Sequence, residues 1–337
     1  MHRRGCVAVL ALWAAVGVGL GAPRAAPGQE APPPPAPEPE QSAAECCLVL
    51  LLPVGARAIA SGRTLVAVVS PDAVFANPAG LAGLRSGHLV LHRTNIAADA
   101  TALSVVVTTE RVGTFGLSYE LLDFGEIENT DEQGRTVGSI TLRHHILVAS
   151  YATSVVGGLA AGMNYKLYQF HIGCRGQCDD DVAISATTHA VDLGIRYQPE
   201  PFPAVQLGIV VTNIGFPLQV VNAQQADPLP VRIRLGARYE VLHHFRAEDG
   251  LRLWVAAEVE ERWREAGDPT PSVGIELSAR DVVFLRTGFV PGDGVGTGVA
   301  VGLGVHYARF TVAVAKSFMT GLVDATEPVQ VSLGMSF

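Results

Sequence analysis

From Gly87 onward, apolar and polar residues alternate with a period of two, segment after segment. In 231–241, Val231, Ile233, Leu235, Ala237, Tyr239 and Val241 alternate with Arg232, Arg234, Gly236, Arg238 and Glu240. Likewise Val191, Leu193, Ile195 and Tyr197 alternate with Asp192, Gly194, Arg196 and Gln198. The chain ends the same way, with Val329, Val331, Leu333, Met335 and Phe337 set against Gln330, Ser332, Gly334 and Ser336. Successive side chains of a strand point to opposite faces, so each segment has one apolar side and one polar or glycine side. The pattern predicts strands over 87–94, 101–109, 113–121, 138–152, 155–170, 183–197, 203–213, 231–242, 251–260, 270–279, 282–290, 296–307, 309–318 and 328–337. That is about fourteen, an even number within the range of bacterial outer-membrane barrels. Most reach the roughly 9–11 residues that a tilted membrane-crossing strand needs.

The connections discriminate further. Only a few residues separate the second strand from the third, the fourth from the fifth, the tenth from the eleventh and the twelfth from the thirteenth. Long polar or proline-containing loops are expected at 122–137, 171–182 and 214–230. A membrane barrel predicts such alternation, with short periplasmic turns on one rim and longer extracellular loops on the other. A soluble sandwich gives no reason for it, and needs a second sheet to bury so many one-sided strands. The expected fold is all-β: a transmembrane antiparallel β-barrel of about fourteen strands over 87–337, with a soluble β-protein as the alternative. Two features run against the barrel. Aromatic residues are 7% of the chain, few for aromatic girdles, and the 243–250 connection is long for a periplasmic turn.

The N-terminus reads differently. Arg3 and Arg4 precede an apolar stretch over 7–22, the pattern of a secretory signal peptide, so 1–26 is expected to be removed. Cleavage is expected between Gly21 and Ala26, and an uncleaved anchor is the alternative. Residues 27–47 read as a Pro-rich, acidic linker containing Pro32–Pro35, a composition that holds neither helix nor sheet. Lys plus Arg total 24 and Asp plus Glu 32, a net charge of −8 that argues against a nucleic-acid partner.

Between linker and barrel, 48–86 is rich in small residues, and its Gly and Pro positions break any long helix. It contains Gly55-Ala56-Arg57-Ala58 and Asn77-Pro78-Ala79-Gly80-Leu81-Ala82. Further on stand Leu122-Asp123-Phe124-Gly125-Glu126-Ile127 with Thr130-Asp131, then Ala190-Val191-Asp192-Leu193-Gly194, then Asp227-Pro228-Leu229-Pro230 with Arg234-Leu235-Gly236. In these ordered elements the chain resembles the PorV/PorQ family, within the wider group of FadL-type outer-membrane barrels. It departs at Ala60-Ser61-Gly62, where the family more often has Gly-Met-Gly. The resemblance implies a fourteen-stranded barrel whose N-terminal segment, 48–86, folds into the lumen as a hatch. Asn77, Pro78, Ala79 and Gly80 are the hatch motif: Pro78 biases Asn77 away from helix, and Ala79 and Gly80 let backbone pack closely. A plain helix-to-strand turn is the alternative. Phe337, ending the last strand, is similar to the terminal aromatic read by the outer-membrane assembly machinery.

No enzyme constellation is present: Gly-x-Ser-x-Gly, His-Glu-x-x-His and Walker motifs are all missing, and no cofactor or metal is expected. The glycines at 294, 296, 298, 302 and 304 fall on one strand face, a small lumen face or a close approach to the hatch. His144–His145 and His243–His244 are neighbours, which on a strand face opposite sides and cannot chelate together. Cys174 and Cys178 are a possible disulfide in a loop, followed by Asp179, Asp180 and Asp181, a solvated tip or a weak Ca²⁺ site. Cys46 and Cys47 are not expected to pair, because bridged Cα atoms usually lie about 4.4–6.8 Å apart.

Charged residues opposite apolar strand positions should face the lumen, since Arg or Lys on the lipid face costs about 2–4 kcal/mol near the midplane. These are Arg196, Arg232, Arg234, Arg238, Glu240, Glu258 and Glu276, with Lys166, Asp192, Glu260 and Arg280. They serve either as structural ion pairs between strands and hatch or as a polar path for a ligand head. The resemblance implies an outer-membrane protein that binds secreted cargo and passes it on in a type IX-like pathway. The alternatives are a FadL-like transporter of hydrophobic small molecules such as fatty acids, and a structural barrel or porin. Expected partners are outer-membrane lipid, the assembly machinery, and cargo proteins or fatty-acid-like ligands.

Overall fold

The computed structural model describes residues 44–94, 98–176, 184–220, 226–244, 250–291, 297–320 and 329–337. Fourteen antiparallel strands follow one another around a closed barrel. They are β1 His88–Thr94, β2 Asp99–Thr109, β3 Gly113–Thr130, β4 Thr136–Val156, β5 Leu159–Gly176, β6 Ile184–Tyr197 and β7 Val205–Gly215. The second half comprises β8 Arg232–Glu240, β9 Leu251–Arg262, β10 Thr270–Ala279, β11 Val283–Val290, β12 Thr297–Tyr307, β13 Phe310–Thr320 and β14 Val329–Ser336. β1 pairs with β14 from His88↔Ser336 to Thr94↔Gln330. Gly87 and Phe337 extend the seam by exchanging two backbone hydrogen bonds of 2.9 Å. Phe337 itself lies one residue beyond β14, with its ring against Gly87.

The period of two becomes a division between outside and inside. Leu193, Ile195, Leu235, Val301 and Leu303 are exposed on the outer face, while their neighbours Asp192, Arg196 and Ala300 are buried in the lumen. An apolar outer wall around a polar lumen inverts the arrangement of a soluble domain, and is how a barrel sits in lipid. The scarce aromatics include an outward set at the short-turn end. Phe115, Tyr197, Tyr239, Tyr307 and Phe310 all face outward near the short-turn end of their strands, and Phe115 packs on Tyr151 at 5.1 Å.

Two expected loops are mostly strand. β3 runs 18 residues and β4 runs 21, so the 122–137 loop shrinks to a turn after Thr130. β5 also continues to Gly176, into the segment expected as the 171–182 loop. The residues are polar because both strands have risen past the apolar band, where outward positions no longer need to be apolar. Bulges at Asp123/Glu126 and Asn129/Thr130 hid the alternation there.

The N-terminal segment runs from the long-loop end into the lumen. It contains a 3₁₀ turn Leu48–Leu51, helix α1 Ala56–Ala60, helix α2 Ala73–Ala76 and a second 3₁₀ turn Pro78–Gly83. No helix among the described residues is long and apolar enough to cross a membrane, which leaves crossing by strands untouched.

Candidate functional site

The inner segment lies directly on wall positions that lack side chains. A Cβ at Gly162 would overlap the backbone of Pro78 and Ala79, and one at Gly194 would overlap the Asn77 side chain. Gly208 faces the Val66 carbonyl, Gly274 faces Ser61, and Gly288 faces the Ser61–Gly62 peptide. Gly302 meets Ala60, so the small face of β12 is a close approach of wall to α1. Asn77 is fully buried and extended, with φ −147° and ψ 106°, as Pro78 after it requires. Its side chain accepts from Ala79 N (3.1 Å), and Pro78, Ala79 and Gly80 are buried beside it.

Lumen charges fasten this segment. Arg196 Nε donates to the Ala67 carbonyl at 3.0 Å, and Arg234 donates to the Arg63 carbonyl at 2.8 Å. Glu258 accepts from Val66 N at 3.1 Å and pairs with Arg234. Arg232 grips both oxygens of Glu45, at 2.9 and 2.7 Å. On the wall itself Lys166 pairs with Asp192 at 2.9 Å, while Asn164 and Asn213 complete that group. Glu240 accepts from Arg252 at 3.0 Å. Arg280 is not in the lumen. It sits exposed in the β10–β11 turn with φ 53°, because the chain reverses there and the alternation ends.

Glu276 is the centre of the tightest cluster. Arg238 donates to its Oε1 at 2.6 Å, Arg286 to its Oε2 at 2.6 Å, and Arg57 of α1 to its Oε2 at 2.9 Å. Arg238 also lies over the Trp254 ring at 3.9 Å.

Toward the long-loop end, on the side formed by β2 to β6, the lumen carries an apolar patch. Ala98, Ala100, Leu122, Ile146, Val148, Tyr168, Ala186 and Leu218 form one buried cluster. Cys46, Cys47, Val49, Leu50 and Leu52 of the chain's own N-terminal segment pack into it, with Phe124 and Phe170. His144 closes the group by a 2.7 Å hydrogen bond with the Tyr168 hydroxyl. His145, one residue on, points out of the barrel to Tyr119 at 2.7 Å.

Cys46 and Cys47 do form a disulfide, contrary to the expectation from spacing. Their Cα atoms are 3.8 Å apart, the distance a trans peptide imposes on neighbours, and Cys47 takes a left-handed φ of 60°. Cys174 is disulfide-bonded. Cys178, Asp179–Asp181, Gly294 and Gly296 lie outside the described residues, as do 1–26, expected as a signal peptide, and most of 27–47, expected as a linker. His243 falls in a 3₁₀ turn, Val241–His244, at the start of the expected 243–250 connection. No group of residues suited to a metal ion occurs among the described residues.

The family model of UPF0164, an uncharacterised protein family, matches residues 36–337. The chain belongs to this family. No curated protein sequence matches it. Among solved structures it is similar to the Pseudomonas putida toluene transporter TodX, at 14% identity and TM-score 0.57, over 84% of this chain and 98% of that one. The CymD monoaromatic hydrocarbon channel matches at 14% identity and TM-score 0.56, over 84% and 97%. A Pseudomonas aeruginosa FadL homologue matches at 12% identity and TM-score 0.50, over 85% and 98%. At these identities the likeness establishes fold alone: this UPF0164 member has the same barrel fold as these structures.

Sequence reasoning missed Arg286, Arg57 and the buried Glu120. Arg286 and Glu120 obey the alternation, Arg286 between Phe284 and Gly288, and Glu120 between Ser118 and Leu122, so a stricter count would have found both. Arg57 sits on a five-residue helix with no period to reveal its direction.

Proposed function

We propose that this protein is a bacterial outer-membrane channel for hydrophobic small molecules, taking them in at the long-loop end and releasing them toward the periplasm. The observation that carries this reading is the apolar chamber in which Leu122, Ile146, Val148 and Tyr168 close around Leu50 and Leu52. A water-filled porin has a polar lumen; here the side of the outer half formed by β2 to β6 is lined by apolar groups that close on Leu50 and Leu52, and 53–86 fill the space beneath. Leu50 and Leu52 occupy the place of a hydrophobic cargo, which replaces them on entering. Asn77, Pro78, Ala79 and Gly80 then hold the floor that must shift before release. Hydrocarbons of the kind named for TodX and CymD are one cargo class, and fatty acids are another. Lipid meets the apolar outer face, and Phe337 is the residue offered to the assembly machinery.

Protein export, implied by the PorV/PorQ resemblance, draws on a different feature. Strands β3, β4 and β5 rise past their neighbours and form a wall at the long-loop end. A secreted cargo would use that wall from outside, because the chamber admits only a small molecule.

The test is uptake of radiolabelled toluene and oleate by cells carrying the barrel in their outer membrane, against cells carrying the vector. Faster uptake is expected, and faster still with Leu50→Ala combined with Leu52→Ala. Vector-level uptake of both compounds, with the barrel present in the outer-membrane fraction, would overturn the reading.

A further inference from the structure

We propose that the disulfide between Cys46 and Cys47 is a reducible latch: a small dithiol that opens it frees residues 48–52 to leave the outer chamber. The inference rests on the reading in which Leu50 and Leu52 stop that chamber, and it adds what controls the stopper.

The chain is fastened on either side of this stretch but not along it. Upstream, Arg232 holds Glu45 by both oxygens, and the Cys46 N–H donates to the Pro228 carbonyl at 3.0 Å. Downstream, the Pro53 carbonyl accepts from Gln330 Nε2 at 3.4 Å, and the Ala56 N–H donates to Ser332 Oγ at 2.8 Å. Between these anchors the Leu50 N–H donates to Cys47 O at 2.9 Å and the Leu52 N–H to Val49 O at 3.2 Å, both within the turn itself. Among the described residues no hydrogen bond ties 48–52 to the wall. Apolar contact with the chamber holds the turn in place.

The direction of the turn is set at Cys47. This residue has φ 60° and ψ 32°, a left-handed conformation that L-residues other than glycine rarely hold. A bond between the two neighbouring side chains closes a small ring around the peptide that joins them, and confines Cys47 to such a turn. Both cysteines are partly buried, and Leu48 beside them is exposed, so the ring lies within reach of a small reagent from the long-loop end.

The step is a thiol–disulfide exchange. One thiolate of the dithiol attacks Cys47 Sγ, the S–S bond breaks, and Cys46 leaves as a thiolate that takes up a proton. The reagent's second thiolate then attacks its own sulfur in the mixed disulfide and releases Cys47 as a thiol. Two electrons and two protons have passed to the protein, and the dithiol has become a disulfide. Cys46 Sγ lies 3.5 Å from the Asp227 carbonyl, an acceptor for the new thiol, so Cys46 stays seated. Cys47, free of the ring, returns to negative φ and carries 48–52 out of the chamber.

The test is hydrogen exchange of peptides covering 48–52 in the full chain in lipid nanodiscs, before and after dithiothreitol. Cys174→Ser and Cys178→Ser are in place so that the bond at Cys174 does not contribute, and reduction is scored by alkylation of Cys46 and Cys47. Exchange should quicken at least about fivefold, the factor carried by one left-handed L-residue. Cys46→Ser with Cys47→Gly, which holds a positive φ without a ring, should exchange slowly with or without the reagent. Cys46→Ser with Cys47→Val should exchange fast in both. If these variants fail to assemble, reduction of the native pair decides alone. A pair that the reagent leaves unalkylated, unchanged exchange once both thiols are alkylated, or equal exchange in the Gly and Val variants would overturn the latch. Dithiothreitol should also raise toluene and oleate uptake by cells carrying the barrel. Quickened exchange with vector-level uptake would overturn the channel and leave the latch standing.

Discussion

The side-chain amide of Asn77 donates to the carbonyl oxygen of Ile195, 3.1 Å away in β6 of the barrel wall. The same nitrogen donates to Val66 O at 2.7 Å and approaches Ile209 O in β7 at 3.5 Å. One buried side chain thus ties two turns of the inner segment to two strands, at the directly paired positions Ile195 and Ile209, just below the β6–β7 register shift at Val191/Leu193. A carboxylate there would face three carbonyl oxygens. Asn77→Asp should therefore lower stability by about 1–3 kcal/mol, the penalty for unsatisfied buried polar groups. Urea unfolding of the folded barrel in detergent checks it; an unchanged midpoint would show that the clamp is idle.

Gly162 and Gly288 test the seating of the inner segment without touching the outer wall. Gly162→Val drives a side chain into Pro78–Ala79, and Gly288→Val into Ser61–Gly62. Both barrels should still close, because strand pairing and the lipid face are unchanged. Displacement of the segment should appear as faster trypsin cleavage after Arg63 and as larger conductance in planar bilayers. Wild-type values in both assays would mean that the wall gives way instead.

Glu276 holds three guanidiniums, so Glu276→Gln removes the partner of Arg57, Arg238 and Arg286 together. Breaking a buried ion pair from one side costs about 3–5 kcal/mol. Adding Arg57→Gln should recover part of the loss by removing one uncompensated charge. A double-mutant cycle on the unfolding free energy reads the coupling, and strict additivity of the two changes would refute it.

The tip of the β3–β4 hairpin should respond to acid. Asp131 Oδ1 accepts from the backbone N–H of Arg135 at 2.9 Å and of Gln133 at 3.0 Å, and the Arg135 guanidinium binds Oδ2 at 2.8 Å. The Arg135 amide, then that guanidinium, hold the Asp131 carboxyl below its ordinary value. A lowered carboxyl contributes order that is present above the ordinary pKa and lost as pH falls through the lowered one. The Arg135 amide NMR signal should hold its folded position at neutral pH and move in the acid range, and Asp131→Asn should abolish that titration.

Much of the wall was legible. A barrel in lipid faces one environment outside and another inside, so each strand writes its orientation into the chain, and β6, β8 and β14 could be placed almost to the residue. β3 and β5 were cut short because their upper ends leave the apolar band, which removes the alternation on which the reading depends; β4 lost chiefly its last four residues, at the short-turn end, where its pairing with β5 bulges at Ser154/Val156. Arg280 was placed in the lumen for the reverse reason: a charge beyond a strand end looks like a charge within it.

The inner segment is another matter. Its direction through the lumen, the union of Arg57 with Glu276 across 219 positions, and the three carbonyls converging on Asn77 are contacts between residues distant in the chain. No local period encodes them. The amino-acid sequence by itself determined the number of strands, their order and which face of each is polar, because these follow from a two-residue repeat and short turns. Only the tertiary structure decided which inward charges meet, which glycines receive the inner backbone, and that Leu50 and Leu52 fill the outer chamber. Closure of the barrel sets those distances, and closure is a property of all fourteen strands together.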